Sequence, residues 1–264
     1  MKKFLNLALL LFSLCGYSQI QEIFTENLIK SNFDSIKIYN DKKEKMLLTA
    51  VIKYRKEQND FIFYNYEKPK NPLEKEVLYT ELKFDETYRL TKEKEFLKGV
   101  NIIDNQLKDT IFSRVTEFIY QKNTIKKNSY SPTGKLDRQI FQINNEKGRE
   151  KEIINILYSN NNVIVSDIKK YDWYPKGNGY KFESEQFTYP RQKFIGYYKV
   201  DKYGKIKSMK GKLNVEGQEE KVNRYKLPKL EEELDERGNI VKIFEIEKGK
   251  RILKEERQIF YRGK

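Results

Sequence analysis

The sequence predicts a mainly β protein, with antiparallel hairpin repeats forming an extended, open, twisted sheet and room for one short N-terminal helix. Three observations predict it. A turn motif recurs along the chain. Phe, Tyr and Trp reach 14% although charged residues make up 35%. Eleven of the 13 glycines lie at or beyond Gly134, where strand-like runs are separated by turn signals.

The turn motif reads apolar, Asp or Ser, any, any, Gly, polar, apolar. Tyr130-Ser131-Pro132-Thr133-Gly134-Lys135-Leu136 is one copy, Val200-Asp201-Lys202-Tyr203-Gly204-Lys205-Ile206 another, and Leu234-Asp235-Glu236-Arg237-Gly238-Asn239-Ile240 a third. The first polar side chain can accept a backbone N–H two residues on. The Gly can take positive φ, which suits a type I turn closed by a bulge. Asn145-Glu146-Lys147-Gly148 keeps the core of the motif after Asn144, and Phe84-Asp85-Glu86-Thr87-Tyr88-Arg89-Leu90 keeps everything except the Gly. Repetition of this kind points to stacked supersecondary units.

Residues 1–18 read as a secretory signal peptide, outside the fold. Lys2 and Lys3 precede an apolar run from Phe4 to Leu14, and Gly16-Tyr17-Ser18 supplies small residues before a cut ahead of Gln19. The run is too short to span a membrane, which takes about 20 apolar residues. The expected location is therefore periplasm, outer surface or extracellular medium. Cys15 is the single cysteine and follows Leu14, which disfavours a lipid anchor. A mature chain without Cys has no disulfides.

The elements follow in order. Ile20, Ile23, Phe24 and Leu28 have helix-like spacing, so a short helix over 20–31 is allowed. Met46 to Tyr54 and Asp60 to Tyr66 make a hairpin joined through Lys56 to Asn59. Phe61-Ile62-Phe63-Tyr64 is apolar on both faces, as in a covered strand. Two prolines make Lys68 to Pro72 a loop. Thr91 to Lys98, closed by Gly99, reads as one or two helical turns with a glycine cap. A soft boundary falls at 100–110, dividing an N-terminal β-rich region, 19–105, from a hairpin-repeat region, 106–264. Strands resume at Thr110 to Tyr120. Hairpins follow at Leu136–Ile143 with Glu150–Tyr158, Val163–Tyr171 with Tyr180–Tyr189, Lys193–Val200 with Ile206–Val215, and Ile240–Ile246 with Arg251–Tyr261, with Glu219–Lys226 a further strand after Gly217.

The segment from Leu234 to Ile240, ending in Glu256-Arg257-Gln258-Ile259-Phe260-Tyr261, resembles the RHS or YD-repeat family, and more closely the short RHS-like proteins secreted by Bacteroidetes. The resemblance covers 130–264 and extends weakly over 20–129. Leu234 and Val200 stand where the family has Tyr, and Ser131 where it has Asp. The resemblance implies extended β-hairpin sheets, residence in the cell envelope and carbohydrate binding.

The chemistry available is narrow. The chain has no His, which removes Ser-His and Cys-His nucleophile systems and His-ligated metals. There is no phosphate-loop pattern. No cofactor or metal site is expected, and no catalytic residue stands out. Carboxylates alone could still serve glycoside hydrolysis, the weakest of the readings. Net charge is +14, or +12 without Lys2 and Lys3, but Lys and Glu are interleaved nearly everywhere. Only Lys202 to Lys212 is locally lopsided. No specific nucleic-acid recognition is expected.

The candidate binding residues lie in Tyr171-Asp172-Trp173-Tyr174-Pro175-Lys176-Gly177-Asn178-Gly179-Tyr180, which holds the single Trp. Tyr171, Trp173, Tyr174 and Tyr180 offer aromatic surfaces, and Asp172 and Asn178 offer polar groups beside them. Such sets suit a sugar ring or a protein hot spot. The expectation is an exported, non-catalytic envelope protein that binds a polysaccharide or an envelope protein. The alternative is a scaffold that pairs through its sheet edges.

Overall fold

The computed structural model describes residues 28, 30–42, 45–66, 77–97, 111–159, 162–200, 206–218 and 220–262. The signal-like segment, the proline loop, the boundary at 100–110 and the turn from 201 to 205 lie outside them. Of the short helix expected over 20–31, Leu28 and Lys30 are described, and both are helical. The chain leaves this turn at Ser31, whose N–H and hydroxyl both donate to the Leu28 carbonyl.

Among the described residues seventeen strands follow. They are β1 (Phe33–Asp41), β2 (Met46–Arg55), β3 (Asp60–Asn65), β4 (Val77–Phe84), β5 (Leu90–Leu97), β6 (Ile111–Gln121), β7 (Thr124–Tyr130), β8 (Leu136–Asn144) and β9 (Glu150–Ser159). The second half adds β10 (Asn162–Trp173), β11 (Gly179–Gln186), β12 (Gln192–Val200), β13 (Ile206–Val215), β14 (Lys221–Lys226), β15 (Lys229–Leu234), β16 (Ile240–Glu247) and β17 (Lys250–Tyr261). All ladders are antiparallel, as the hairpin pattern predicts. Strands β1, β4, β7 and β15 go beyond the hairpins named in the sequence, and β5 replaces expected helical turns.

The proposed helical turns at Thr91 to Lys98 are corrected: Leu90–Leu97 is β5. Lys and Glu are good helix formers, which makes the stretch look helical. Their signs alternate with period two, however. Lys92 and Lys94 point to one face and reach Glu117 and Glu81 on the neighbouring strands, at 3.1 and 3.6 Å. Strand pairing overrides the local propensity.

Along the sheet the strands run β15–β16–β17–β1 and then in sequence from β2 to β14. β1 therefore sits between β2 and β17, so the first and last of the described strands are neighbours. The sheet is open, because no ladder among the described residues joins β14 to β15. Yet these two edge strands are separated only by Leu227-Pro228. Seventeen strands about 4.8 Å apart span roughly 75 Å. Three residues reach at most about 11 Å. The sheet must bend round until its two edges meet at a corner. Counting antiparallel steps from β15 to β14 also shows that both edges run in the same direction. They are two halves of one strand kinked at Pro228, the first half held by β13 and the second by β16.

The recurring turn has one geometry wherever it is described. In each copy the N–H at the fourth position donates to the carbonyl of the first polar residue, as in Gly134 to Ser131, Gly148 to Asn145 and Gly238 to Asp235. The polar side chain accepts further N–H groups: Asp235 Oδ1 takes those of Arg237 and Asn239, both at 2.9 Å. Gly238 has φ of 77°, the left-handed region the sequence assigned to it. Tyr88 takes the same place in the degenerate copy at φ of 62°, while Asp85 accepts from Thr87 and Arg89. A one-residue register shift precedes each of these turns, at Lys83/Phe84, Ser129/Tyr130, Ile143/Asn144 and Glu233/Leu234. That shift is the bulge that closes the turn.

The face that carries Ile36, Ile52 and Leu82 is the more buried one, while the outer face bears charges together with the buried Val51 and Ile62 and the ring ladder Tyr64–Tyr79–Phe96–Phe112. Two apolar clusters lie on the buried face. The larger joins Leu28, Phe33, Ile36, Ile52, Phe61 and Leu82 with their neighbours on β1 to β6. Ile36, Ile52 and Leu82 are fully buried, and each contributes about 1.5–3 kcal/mol. The second cluster joins Tyr180, Phe182, Phe194, Val200 and Leu213 on β11 to β13. Between the two the same face turns polar. Arg138 donates to Asn155 at 3.0 Å and Asn155 to Asp167 at 2.8 Å, on β8, β9 and β10. Glu93, on β5, faces the same side, between Leu82 and Thr116.

Candidate functional site

Alternation along β10 sends Tyr171 and Trp173 to the buried face and Asp172 to the outer one. The register then sets Tyr171 opposite Phe182 and Trp173 opposite Tyr180, with Tyr198 of β12 beyond. The rings form one continuous cluster. Trp173 lies 4.6 Å from Tyr180, Tyr171 lies 5.0 Å from Phe182, and Tyr180 stacks on Tyr198 at 4.9 Å with 10° between planes. Such pairs are worth about 0.5–1.5 kcal/mol beyond the area they bury.

Small residues make room for these rings. Gly196 and Gly211 face each other across β12 and β13. A Cβ on Gly196 would come within 2.6 Å of the Phe194 ring, and one on Gly211 within 2.4 Å. The Phe194 side chain thus lies flat over a patch of bare backbone, the close approach that glycine inside a strand often marks.

The polar tips are fixed as well. The Trp173 indole N–H donates to the Glu150 carbonyl at 2.7 Å. The Arg149 guanidinium sits 4.9 Å from the Trp173 ring, a cation–π contact, and rests against Gly177. Burial raises the Tyr171 and Tyr180 hydroxyls well above their ordinary pKa, with the Glu150 charge adding to the effect, and burial pushes Tyr198 up to about 12. All three are neutral near pH 7. They cannot act as bases there.

Of the six residues singled out in the sequence, Tyr171, Trp173 and Tyr180 come together. Tyr174 opens the β10–β11 turn, 36% exposed, with its ring beside Gly179. Its N–H donates to the Gly179 carbonyl and its carbonyl accepts from Gly177. Asn178 is exposed, and its carbonyl accepts the Val200 N–H at 3.0 Å. Asp172 is exposed on the opposite face, across from Lys181. Sequence reasoning missed Arg149, Glu150 and Tyr198. Arg149 and Glu150 follow a turn 23 residues upstream of Trp173 and come near it only through the pairing of β9 with β10. Tyr198 could have been found from Phe194-x-Gly196-x-Tyr198, where alternation brackets a glycine with rings.

A concavity of about 590 Å³ lies on the outer face between β2 and β5. Arg55, Asp60, Glu81 and Lys94 line it, and they satisfy one another. Arg55 grips Asp60 with two hydrogen bonds, of 2.7 and 2.6 Å, and Glu81 with a third of 3.0 Å. Among the described residues, no group of three or more acidic side chains is placed to hold a metal ion.

No known family model matches the chain, and no curated protein does, so the resemblance to RHS or YD-repeat proteins stays at the level of the turns. Among solved structures the chain is similar to a porin-like protein from Bacteroides uniformis, at 10% identity and a TM-score of 0.36 over 86% of this chain and 97% of that one. It is similar to the same extent to a porin-like protein from Bacteroides vulgatus.

Proposed function

We propose that the protein is an exported, non-catalytic cell-envelope protein whose β-sheet binds a glycan or a protein partner at the Trp173 end of the β10–β11 hairpin. The observation that carries this is an aromatic cluster that ends at the part-buried Trp173 indole, capped by the Arg149 guanidinium, beside a turn whose Tyr174 is exposed. Aromatic planes with short polar groups are what a sugar ring or a protein hot spot requires. The charges on the outer face support an aqueous location. Lys94 and Glu117 point to the outer face, where a lipid-facing Lys at mid-bilayer costs about 2–4 kcal/mol and a Glu less.

Trp173 serves as its own reporter. Titration with a panel of neutral polysaccharides should change its fluorescence for at least one member, with little effect of salt. Tyr174→Ala, which leaves the core rings in place, should weaken that binding about tenfold. No response to any polysaccharide, together with an unchanged partner pull-down for Tyr174→Ala, would overturn the reading.

A second reading has its own observation. Among the described residues β14 pairs with β13 alone and β15 with β16 alone, and strands at the edge of a sheet recruit other strands. If the protein is a scaffold that assembles through them, its sedimentation coefficient will rise with concentration.

A further inference from the structure

On the outer face of β2 to β6, cations and carboxylates pair, as Arg55 with Asp60 and Glu81 and Lys92 with Glu117. Strands β12, β13 and β14 break that rule, because their sequences contain no Asp or Glu. The register then concentrates the cations. Lys181, Tyr197, Lys210 and Arg224 form one straight row across β11, β12, β13 and β14. The next row places Lys212 beside Ile195, and Lys193 and Lys199 flank Tyr197 along its own strand. Lys181 and Lys212 have local partners, Glu183 at 2.5 Å and Glu220 at 2.9 Å. Lys193, Lys199, Lys210 and Arg224 hold no ion pair among the described residues. In the middle stands Tyr197, 51% exposed although its strand neighbours Phe194 and Gly196 are buried.

We infer that this row is a binding track for an acidic polysaccharide laid across the strands. Positions on successive strands repeat about every 4.8 Å, a step comparable to one sugar ring, so Lys210 and Arg224 stand one step apart and Lys181 stands two steps from Lys210 across Tyr197. A polyuronate carries its carboxylates at that kind of interval and presents C–H faces that can rest on Tyr197. Nucleic acid would want several exposed rings for base stacking, and this row has one. A membrane surface would want an apolar rim to bury, and the exposed apolar side chain beside the row is Val222. The track lies on the face opposite the Trp173 cluster. It rests on the reading of the protein as a binder but not on that site.

The probe is polygalacturonate, with dextran as the neutral control and single-stranded DNA and phosphatidylglycerol vesicles as competing polyanions. Binding to polygalacturonate at moderate salt, absent for dextran, is expected. The pair Lys210→Glu and Arg224→Glu should weaken it at least about tenfold, whereas Lys135→Glu and Lys147→Glu, an equal charge change on remote turns, should change it less than about threefold. Tyr197→Ala should remove the part of the affinity that persists at high salt. Tyr174→Ala should leave polygalacturonate binding intact, which separates this track from the Trp173 site. The inference is overturned if the remote pair costs as much as the track pair, if no binding occurs, or if DNA or vesicles bind more tightly than polygalacturonate.

Discussion

Asp235 shows how much one turn residue can hold. Its carboxylate accepts the Arg237 and Asn239 N–H groups and the Tyr261 hydroxyl, and the Asn239 amide donates to that same hydroxyl at 2.9 Å. Arg237 covers the Tyr261 ring at 3.8 Å and donates to the Ser31 carbonyl at 2.8 Å. This clasp ties a β15–β16 turn to the last strand and to the segment before β1. Asp235→Ala should cost about 1–3 kcal/mol in urea unfolding, and Ser131→Ala, whose exposed hydroxyl accepts one N–H at 3.2 Å, should cost less. Burial by itself would raise the Asp235 carboxyl, but its hydrogen bonds outweigh that and hold it below the ordinary range. Its stabilisation is therefore complete above an unfolded pKa near 3.9 and is lost as pH falls through the depressed folded value.

Glu93 works the other way. Burial, with Glu95 adding to it, raises its carboxyl from 4.5 to about 7 despite Lys127 and Arg114. The folded protein binds the proton more tightly than the unfolded chain. Stability should accordingly fall as pH rises from about 4.5 to about 7, and Glu93→Gln should remove that slope while leaving the acid limb intact. Thermal melts of both variants from pH 3 to pH 8 would check the two signs, and a common slope for wild type and Glu93→Gln would refute the second.

At the level of elements, the glycine pair on β12 and β13 is the most sensitive point. Gly211→Ala puts a methyl into the Phe194 ring, which is fixed among Phe182, Tyr198 and Leu213, and should cost about 1–3 kcal/mol. The same change at Gly249, where nothing lies within 4 Å of the added Cβ, pays only for its positive φ. A difference in midpoint between the two variants measures the packing part. The turns were legible in the sequence because their chemistry is local: Asp, Ser or Asn accepts, Gly or its substitute turns, and the strand resumes. β5 was not legible, because its partners on β4 and β6 decide a contest that Lys and Glu propensity would settle as helix. The candidate site was half legible. Rings two residues apart share a face, so Tyr171 and Trp173 belong together, but Asp172 between them must leave, and Arg149 arrives only through register.

For the molecule as a whole, connectivity was the least legible feature. Nothing in Phe33-Asp34-Ser35-Ile36 announces that Ile36 pairs with Ile259. The strand order gives a direct test. A cut between Leu227 and Pro228 separates two edge strands, each still held by its own neighbour, so the nicked protein should keep its β-sheet circular dichroism and its two pieces should copurify. Deleting 250–264 should abolish cooperative melting, because it strips β17 from both β1 and β16.

The neighbourhood of the first and last strands also sets a timetable. Phe33 and Arg262, bonded to each other, are 229 residues apart. A chain delivered amino-terminus first, from a ribosome or through a translocon, must present β1 with one side bare until the final strand emerges. Contacts of such long range form slowly, and a bare strand side is an invitation to misassembly. Completion of this protein is thus a last event in its delivery, and a chain halted short of its final strand leaves a sticky intermediate for a holdase or a protease to meet.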